Sequence, residues 1–279
     1  MSLRAALLGL ALFSLQTAAE QRVVSLAPFL TDLLVQLEAT EQLVGVFDDP
    51  SLPASLEALP RVGGYHDLAL EPIIAQRPDL VLAWTSGNPP GLLARLERLG
   101  IEVHRYDPQR LEDIEQTLLD VGRLVGADAR AAELAGDYRA ALANVGRPLN
   151  TASPSVFVQV WDDPLYTLSD TQLVGDALRH CGARNVFGDL RLLAPQVGRE
   201  NVIAANPDII LILADERGQA TGWLNRWRRF PQIAAVRDRR LYILDSQQLA
   251  RATPGIIDGV VRLCQLVASD PERAAEPRE

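Results

Sequence analysis

The stretch "EPIIAQRPDLVL" (Glu71–Leu82) returns as "ENVIAANPDIIL" (Glu200–Leu211), aligned without a gap at an offset of 129 residues. Glu71 lies over Glu200, Ala75 over Ala204, Pro78 over Pro207 and Asp79 over Asp208. Each copy reads as a short helix, a turn and a strand. Proline stops the helix, and aspartate favours the turn. The strand that follows is apolar throughout, the pattern of a strand covered on both faces. The repeat predicts equivalent places in two α/β lobes; the alternative is one large domain with a coincidental match. Neither the turn nor the strand requires the leading glutamate.

Outward from the first copy, "RVVSLAP" (Arg22–Pro28) and "QLVGVF" read as strands flanking an amphipathic helix over Thr31–Leu37. "PPGLLARLERLG" reads as a helix stopped at Gly100, and "IEVHRYD" as the next strand. Strands alternating with helices give a mainly parallel sheet. From Leu111 to Val145 the chain is rich in alanine and leucine at helical spacing, predicting two helices broken near Gly126–Ala127. "RPLNTASP" (Arg147–Pro154) marks a boundary, after which the alternation restarts with "SVFVQVW", "TQLVGDALRHCG", the second copy, "WLNRWRRFPQI", "LYILD" and "GIIDGVVRLCQLV". The expected organisation is an N-terminal lobe over 20–126, a linking helix over 127–150, a C-terminal lobe over 151–268 and a flexible tail over 269–279.

The first residues, "MSLRAALLGLALFSLQTAAEQ", place Arg4 before an apolar run from Ala5 to Leu15 and small residues at Thr17, Ala18 and Ala19. This is the form of a secretory signal peptide over 1–19. The alternative, a membrane anchor, is disfavoured because the run is too short to span a bilayer comfortably. A net charge of −9 argues against nucleic acid, whose phosphates need a basic surface. The two cysteines, Cys181 and Cys264, read as a disulfide in an exported chain, with two buried free thiols as the alternative.

The three histidines, His66, His104 and His180, form no nucleophile–base–orienter set. No nucleophile elbow, phosphate loop or zinc-protease motif is present, and no Cys/His cluster suggests a metal. Aromatic and polar residues instead gather after strands, where ligands of open α/β sheets bind. They are Pro28 and Phe29; Tyr65 and His66; Trp84, Ser86, Gly87 and Asn88; Trp161, Asp162, Pro164 and Tyr166; and Gln247, Gln248, Leu249, Ala250 and Arg251. Flat rings with a few polar groups suit a large, partly planar organic ligand. Trp223 and Trp227, inside a helical pattern, are assigned to local packing.

The ordered set "RVVSLAP", "LVGV", "LEPIIAQRPDLVLAW" with "SGNPP", "LERLGIEV", "VFVQVWDDPLYT", "HCGARNVFGD" and "PQVGRENVIAANPDIIL" resembles the periplasmic substrate-binding proteins of ABC importers, in their cobalamin-binding branch. The resemblance covers nearly all of the chain after the signal segment. It implies two Rossmann-like lobes with mainly parallel sheets joined by a single long helix, and a ligand cleft between them. It implies a disulfide in the second lobe, matching Cys181 and Cys264. The transported ligand would be cobalamin or a related corrinoid, with no catalysis and no cofactor. The protein would be a monomer touching the membrane only through its permease.

One glutamate per lobe, Glu71 and Glu200, would dock on arginines of the permease dimer, whose two-fold symmetry presents that basic site twice. The family's usual cleft aromatic after the second strand is replaced near Asp49. A tryptophan before "PQV" in a relative is replaced within "LRLLAPQV". Haem and ferric-siderophore binders share the architecture, with Tyr65 or His66 as candidate iron ligands, and a periplasmic corrinoid- or metal-processing enzyme is the reading from another class.

Overall fold

The computed structural model describes residues 21–214 and 217–269. The expected signal segment and nearly all of the expected tail lie outside those residues. Ser269, at the start of that tail, is tied down: its hydroxyl donates to the Leu266 carbonyl at 2.7 Å and shares a hydrogen bond with Tyr242.

The N-terminal part runs β1 (Val23–Ser25), α1 (Pro28–Gln36), β2 (Leu43–Val46), α2 (Leu70–Ala75), β3 (Leu80–Trp84), α3 (Pro90–Arg98) and β4 (Glu102–Tyr106). Helices α4 (Leu111–Leu124) and α5 (Asp128–Ala143) follow. Then come β5 (Ser155–Gln159), β6 (Trp161–Asp162), β7 (Leu165–Tyr166), α6 (Leu173–His180) and β8 (Arg184–Asn185). The chain continues with α7 (Arg199–Ala205), β9 (Ile209–Leu213), α8 (Arg217–Trp227), α9 (Ala234–Arg237), β10 (Leu241–Leu244), α10 (Gln247–Ala250) and α11 (Ile256–Ala268).

The first sheet has the order β2-β1-β3-β4 and the second β10-β9-β5-β8, with every neighbouring pair parallel. Read from its other edge, the second sheet repeats the first: β8, β5, β9 and β10 stand where β2, β1, β3 and β4 stand. β6 and β7 form a separate antiparallel hairpin containing the cis Asp163–Pro164 bond.

The repeat identified in the sequence governs matching geometry. β3 and β9 start on Leu80 and Ile209, which carry the same offset, and α2 and α7 start on Leu70 and Arg199. The helices do not end on proline alone. Arg77 (φ 48°) and Asn206 (φ 44°) turn left-handed just before Pro78 and Pro207, and that conformation ends a helix with a non-glycine residue only at some cost. The repeated aspartates do more than favour a turn. Asp79 accepts from the Arg22 backbone N–H at 2.9 Å, and Asp208 accepts from that of Ser155 at 2.8 Å. Each aspartate thus holds the entrance of the neighbouring strand.

Both central strands are apolar because both faces are covered. Leu80 and Leu82, with Ile209, Leu211 and Leu213, enter one apolar cluster shared by the two lobes. Val81 and Ala83 face α2 and α3, while Ile210 and Ile212 face the layer of Trp223 and Trp227. The shared cluster also takes Ile114, Leu118 and Val121 of α4, Ala131, Ala135 and Tyr138 of α5, and Val260 and Leu263 of α11. Gly122 permits the close approach of α4 to α5, since a Cβ there would lie 2.3 Å from that of Ala131. The long helix ends at Ala143, and the chain reaches β5 irregularly, with Gly146 at φ 113° and the Arg147 N–H donating to the His180 carbonyl at 2.8 Å.

Cys181, following α6, is disulfide-bonded to Cys264 of α11, with Cα atoms 4.7 Å apart. This settles the thiol alternative. Among the described residues no helix is long and apolar enough to cross a membrane.

Candidate functional site

In each sheet the chain reverses its direction of strand addition between the two middle strands. The crevice at the carboxyl ends of such strands is where open α/β folds bind ligands. Here the two crevices share one cavity of about 680 Å³ between the lobes.

The N-terminal lobe contributes Pro28 and Phe29 after β1, Asp49 and Pro50 after β2, Tyr65, then Trp84 and Ser86 at the end of β3. The rings cluster edge to face: Phe29 and Trp84 have centroids 6.1 Å apart, Tyr65 and Trp84 6.5 Å, and Tyr65 leans on the buried Phe47 at 4.8 Å. The opposite wall carries Trp161 and Trp223, with centroids 5.8 Å apart. Trp161 is 48% exposed, while Trp223 is only 6% exposed. Trp223 is thus both a packing residue, as its helical position predicts, and part of the cavity wall.

Residues 247–251, expected after the last strand, are mostly the helical turn α10, and Gln247, Leu249, Ala250 and Arg251 line the cavity. Arg251 is not free. Its Nη1 donates to Asp32 at 3.0 Å, its Nη2 to Asp49 at 2.7 Å and to the Ser51 hydroxyl, and its Nε to Gln247 at 3.0 Å. Asp32 and Asp49 belong to the N-terminal lobe, so this ion pair bridges the lobes beside the cavity. Burial pushes the Asp32 carboxyl up, and Arg251 only partly offsets that. Burial also acts to raise Asp49, but hydrogen bonds from Ser51 and Arg251 outweigh it and hold Asp49 below the ordinary carboxylate value. Burial raises the Tyr65 phenol.

Seven residues expected at the ligand lie outside the cavity lining, among them Tyr166, which pairs with Trp161 in the β6–β7 hairpin. Asn88 is buried and braces the strand ends: its Oδ1 accepts from the Trp84 N–H at 2.7 Å and its Nδ2 donates to the Leu26 carbonyl at 2.8 Å. Gly87 lies under the Trp84 ring, where a Cβ would come within 1.9 Å of Cε3. Asp162 is buried beneath the hairpin, paired with Arg199 at 3.3 Å and with Arg226, while Pro164 forms the hairpin turn. His66 and Gln248 are exposed outside the cavity.

Sequence reasoning missed Asp107, Pro108 and Gln109, which line the cavity after β4. The rule of strand ends, applied to "IEVHRYD", reaches Asp107 directly. Asp107 Oδ1 accepts from Trp84 Nε1 at 2.9 Å and from the Ser86 hydroxyl at 2.6 Å. In "LRLLAPQV", Leu193 lines the cavity and Leu192 is 69% exposed beside it. Glu71 and Glu200 lie apart from the cavity, exposed in the first turns of α2 and α7.

The geometry has counterparts. The family model described as periplasmic binding protein matches residues 23–248. The vitamin B12-binding protein of Yersinia pestis (strain Pestoides F) is 30% identical over 273 residues, covering 98% of this chain and 95% of the relative. The solved periplasmic vitamin B12 binding protein BtuF of Vibrio cholerae superposes with a TM-score of 0.80 at 27% identity, covering 88% of this chain and 96% of that one. A periplasmic heme binding protein of Pseudomonas aeruginosa superposes at 0.72 with 27% identity, covering 93% and 95% of the two chains. Two like sheets meeting over one cavity, with the match running through both lobes, show that this chain belongs to the periplasmic binding protein family.

Proposed function

We propose that the protein captures cobalamin or a related corrinoid in the interlobe cavity, in the periplasm, and delivers it unaltered to an ABC importer. The observation that carries this reading is the cavity itself. Phe29, Tyr65 and Trp84 line one wall and Trp161 and Trp223 the other. Flat apolar faces of this kind enclose a large planar ring system, while sparse polar groups orient its periphery. The vitamin B12-binding relatives support the choice of ligand.

Iron ligation is less well supported. His66 lies outside the cavity, and the Tyr65 phenol in its lining has a pKa raised by partial desolvation, which works against the phenolate that an iron ligand would be. The role needs enclosure and release, not a reaction. Glu71 and Glu200 are the proposed contacts to the two permease subunits. Both are exposed, occupy equivalent places in the two lobes and make no ion pair among the described residues.

Titration with cyanocobalamin, followed by tryptophan quenching, tests the reading. Saturable binding at micromolar ligand or below is expected. No binding in that range, with haem binding instead, would replace the corrinoid reading by the haem one.

A further inference from the structure

Taking the cavity as a corrinoid site, we infer that it selects by charge: it accepts a planar ligand with amide side chains and discriminates against the same ligand bearing carboxylates. Among the described lining residues the one cationic side chain is Arg251. Its three guanidinium nitrogens are all engaged, by Asp32, Asp49, Ser51 and Gln247. One cation therefore faces two carboxylates and has no charge left for an incoming anion.

Of these two carboxylates only Asp49 lines the cavity, and a further one, Asp107, lines it as well. Among the described residues its hydrogen-bond donors are neutral: Trp84 Nε1 at 2.9 Å, the Ser86 hydroxyl at 2.6 Å and Gln109 Nε2 at 3.2 Å. The fixed charge of the lining, Asp49 and Asp107 against Arg251, is thus net negative, and the lining ionic group outside any ion pair among the described residues, Asp107, is an acceptor. Primary amides on the rim of a corrinoid donate N–H bonds to such acceptors, and a bond to a charged partner is the stronger kind. A ligand carboxylate in the same place donates nothing and meets like charge in a partly dehydrated site, where screening is weak. Haem, with two propionates, falls in the disfavoured class.

The bridge makes the preference structural. To pair with a ligand anion, Arg251 would have to leave Asp32 and Asp49, stranding two partly buried carboxylates. Asp49 is held below its ordinary pKa, so it keeps its charge across the neutral range.

The test compares two pairs of ligands on the intact protein at neutral pH and low salt. One pair is cyanocobalamin and its monocarboxylate, made by hydrolysing one peripheral amide. The other is haem and its dimethyl ester, which lacks the two carboxylate charges. In each pair the carboxylate form should bind at least about tenfold more weakly, a difference of about 1.4 kcal/mol. Added salt should narrow the gap, as should Asp107→Asn. The salt series needs no substitution, so it stands even if the variant folds poorly. Equal affinity within both pairs at low salt, or a gap that neither salt nor Asp107→Asn changes, would overturn the inference. Failure of cyanocobalamin to bind while the haem ester binds and haem does not would remove the corrinoid reading and keep charge selection. No binding by any of the four would overturn both.

Discussion

Trp223 and Trp227 lie one helical turn apart on α8, yet they carry different loads. Trp227 is 1% exposed, meets Phe157 at 5.6 Å, and donates from Nε1 to Gln159 at 2.6 Å. Trp227→Ala should cost about 3–5 kcal/mol of stability, read by urea denaturation. Trp223 faces Trp161 across the cavity wall. Trp223→Ala should weaken cobalamin binding by about tenfold or more, the loss expected of an aromatic anchor. Unchanged affinity would assign Trp223 to packing alone. Asp49 offers a pH test. Its folded pKa lies below the ordinary 3.8, so its charge stabilises the fold above that value. The contribution is lost as pH falls through the folded pKa. Asp49→Asn should therefore be less stable than the native protein near neutral pH, and the difference should shrink below about pH 3.8, as followed by thermal unfolding across pH. The neighbouring Asp32 is shifted the opposite way, which makes Asp49 the partner that Arg251 retains longest on acidification.

The elements were largely legible in the sequence, because their signals are local. The apolar runs at β3 and β9, the helical spacing on either side of Gly126 and the stop at Gly100 each depend on near neighbours. The starts and ends were less legible. α1 begins at Pro28, earlier than its apolar spacing suggests, because proline suits the first helical position. β8 pairs over two residues only, which is too short for any periodicity to show. The disulfide between α6 and α11 closes a separation of 83 residues. By loop entropy it stabilises the fold by about 4–5 kcal/mol. Replacing both cysteines by serine should lower the melting temperature markedly while leaving the cavity residues in place, so calorimetry should show the loss and cobalamin should still bind to the folded fraction.

For the whole molecule, the two sheets share one apolar cluster through α4, α5 and α11. Such a shared layer resists large separation of the lobes, so any closure about the ligand should be modest. The proposed docking belongs to this scale, since it would need both lobes at once. Glu71→Arg combined with Glu200→Arg should leave cobalamin affinity unchanged, because neither residue lines the cavity, and should abolish uptake in a transport assay. Uptake at the native rate would remove the docking role from these glutamates.

The sequence by itself determined that the chain is built twice over: two helix–turn–strand units at one offset, each with its proline, its aspartate and a leading glutamate. It also pointed to Phe29, Tyr65, Trp84, Trp161 and Arg251 as cavity residues, because strand ends can be recognised from local pattern. Only the tertiary structure decided that Asn88 and Asp162 brace the scaffold, that Trp223 and Asp107 join the cavity, and that Arg251 is neutralised by Asp32 and Asp49. Those roles depend on which residues distant in the chain meet. Such meetings follow from how two sheets pack about a common core, which no short window of sequence records.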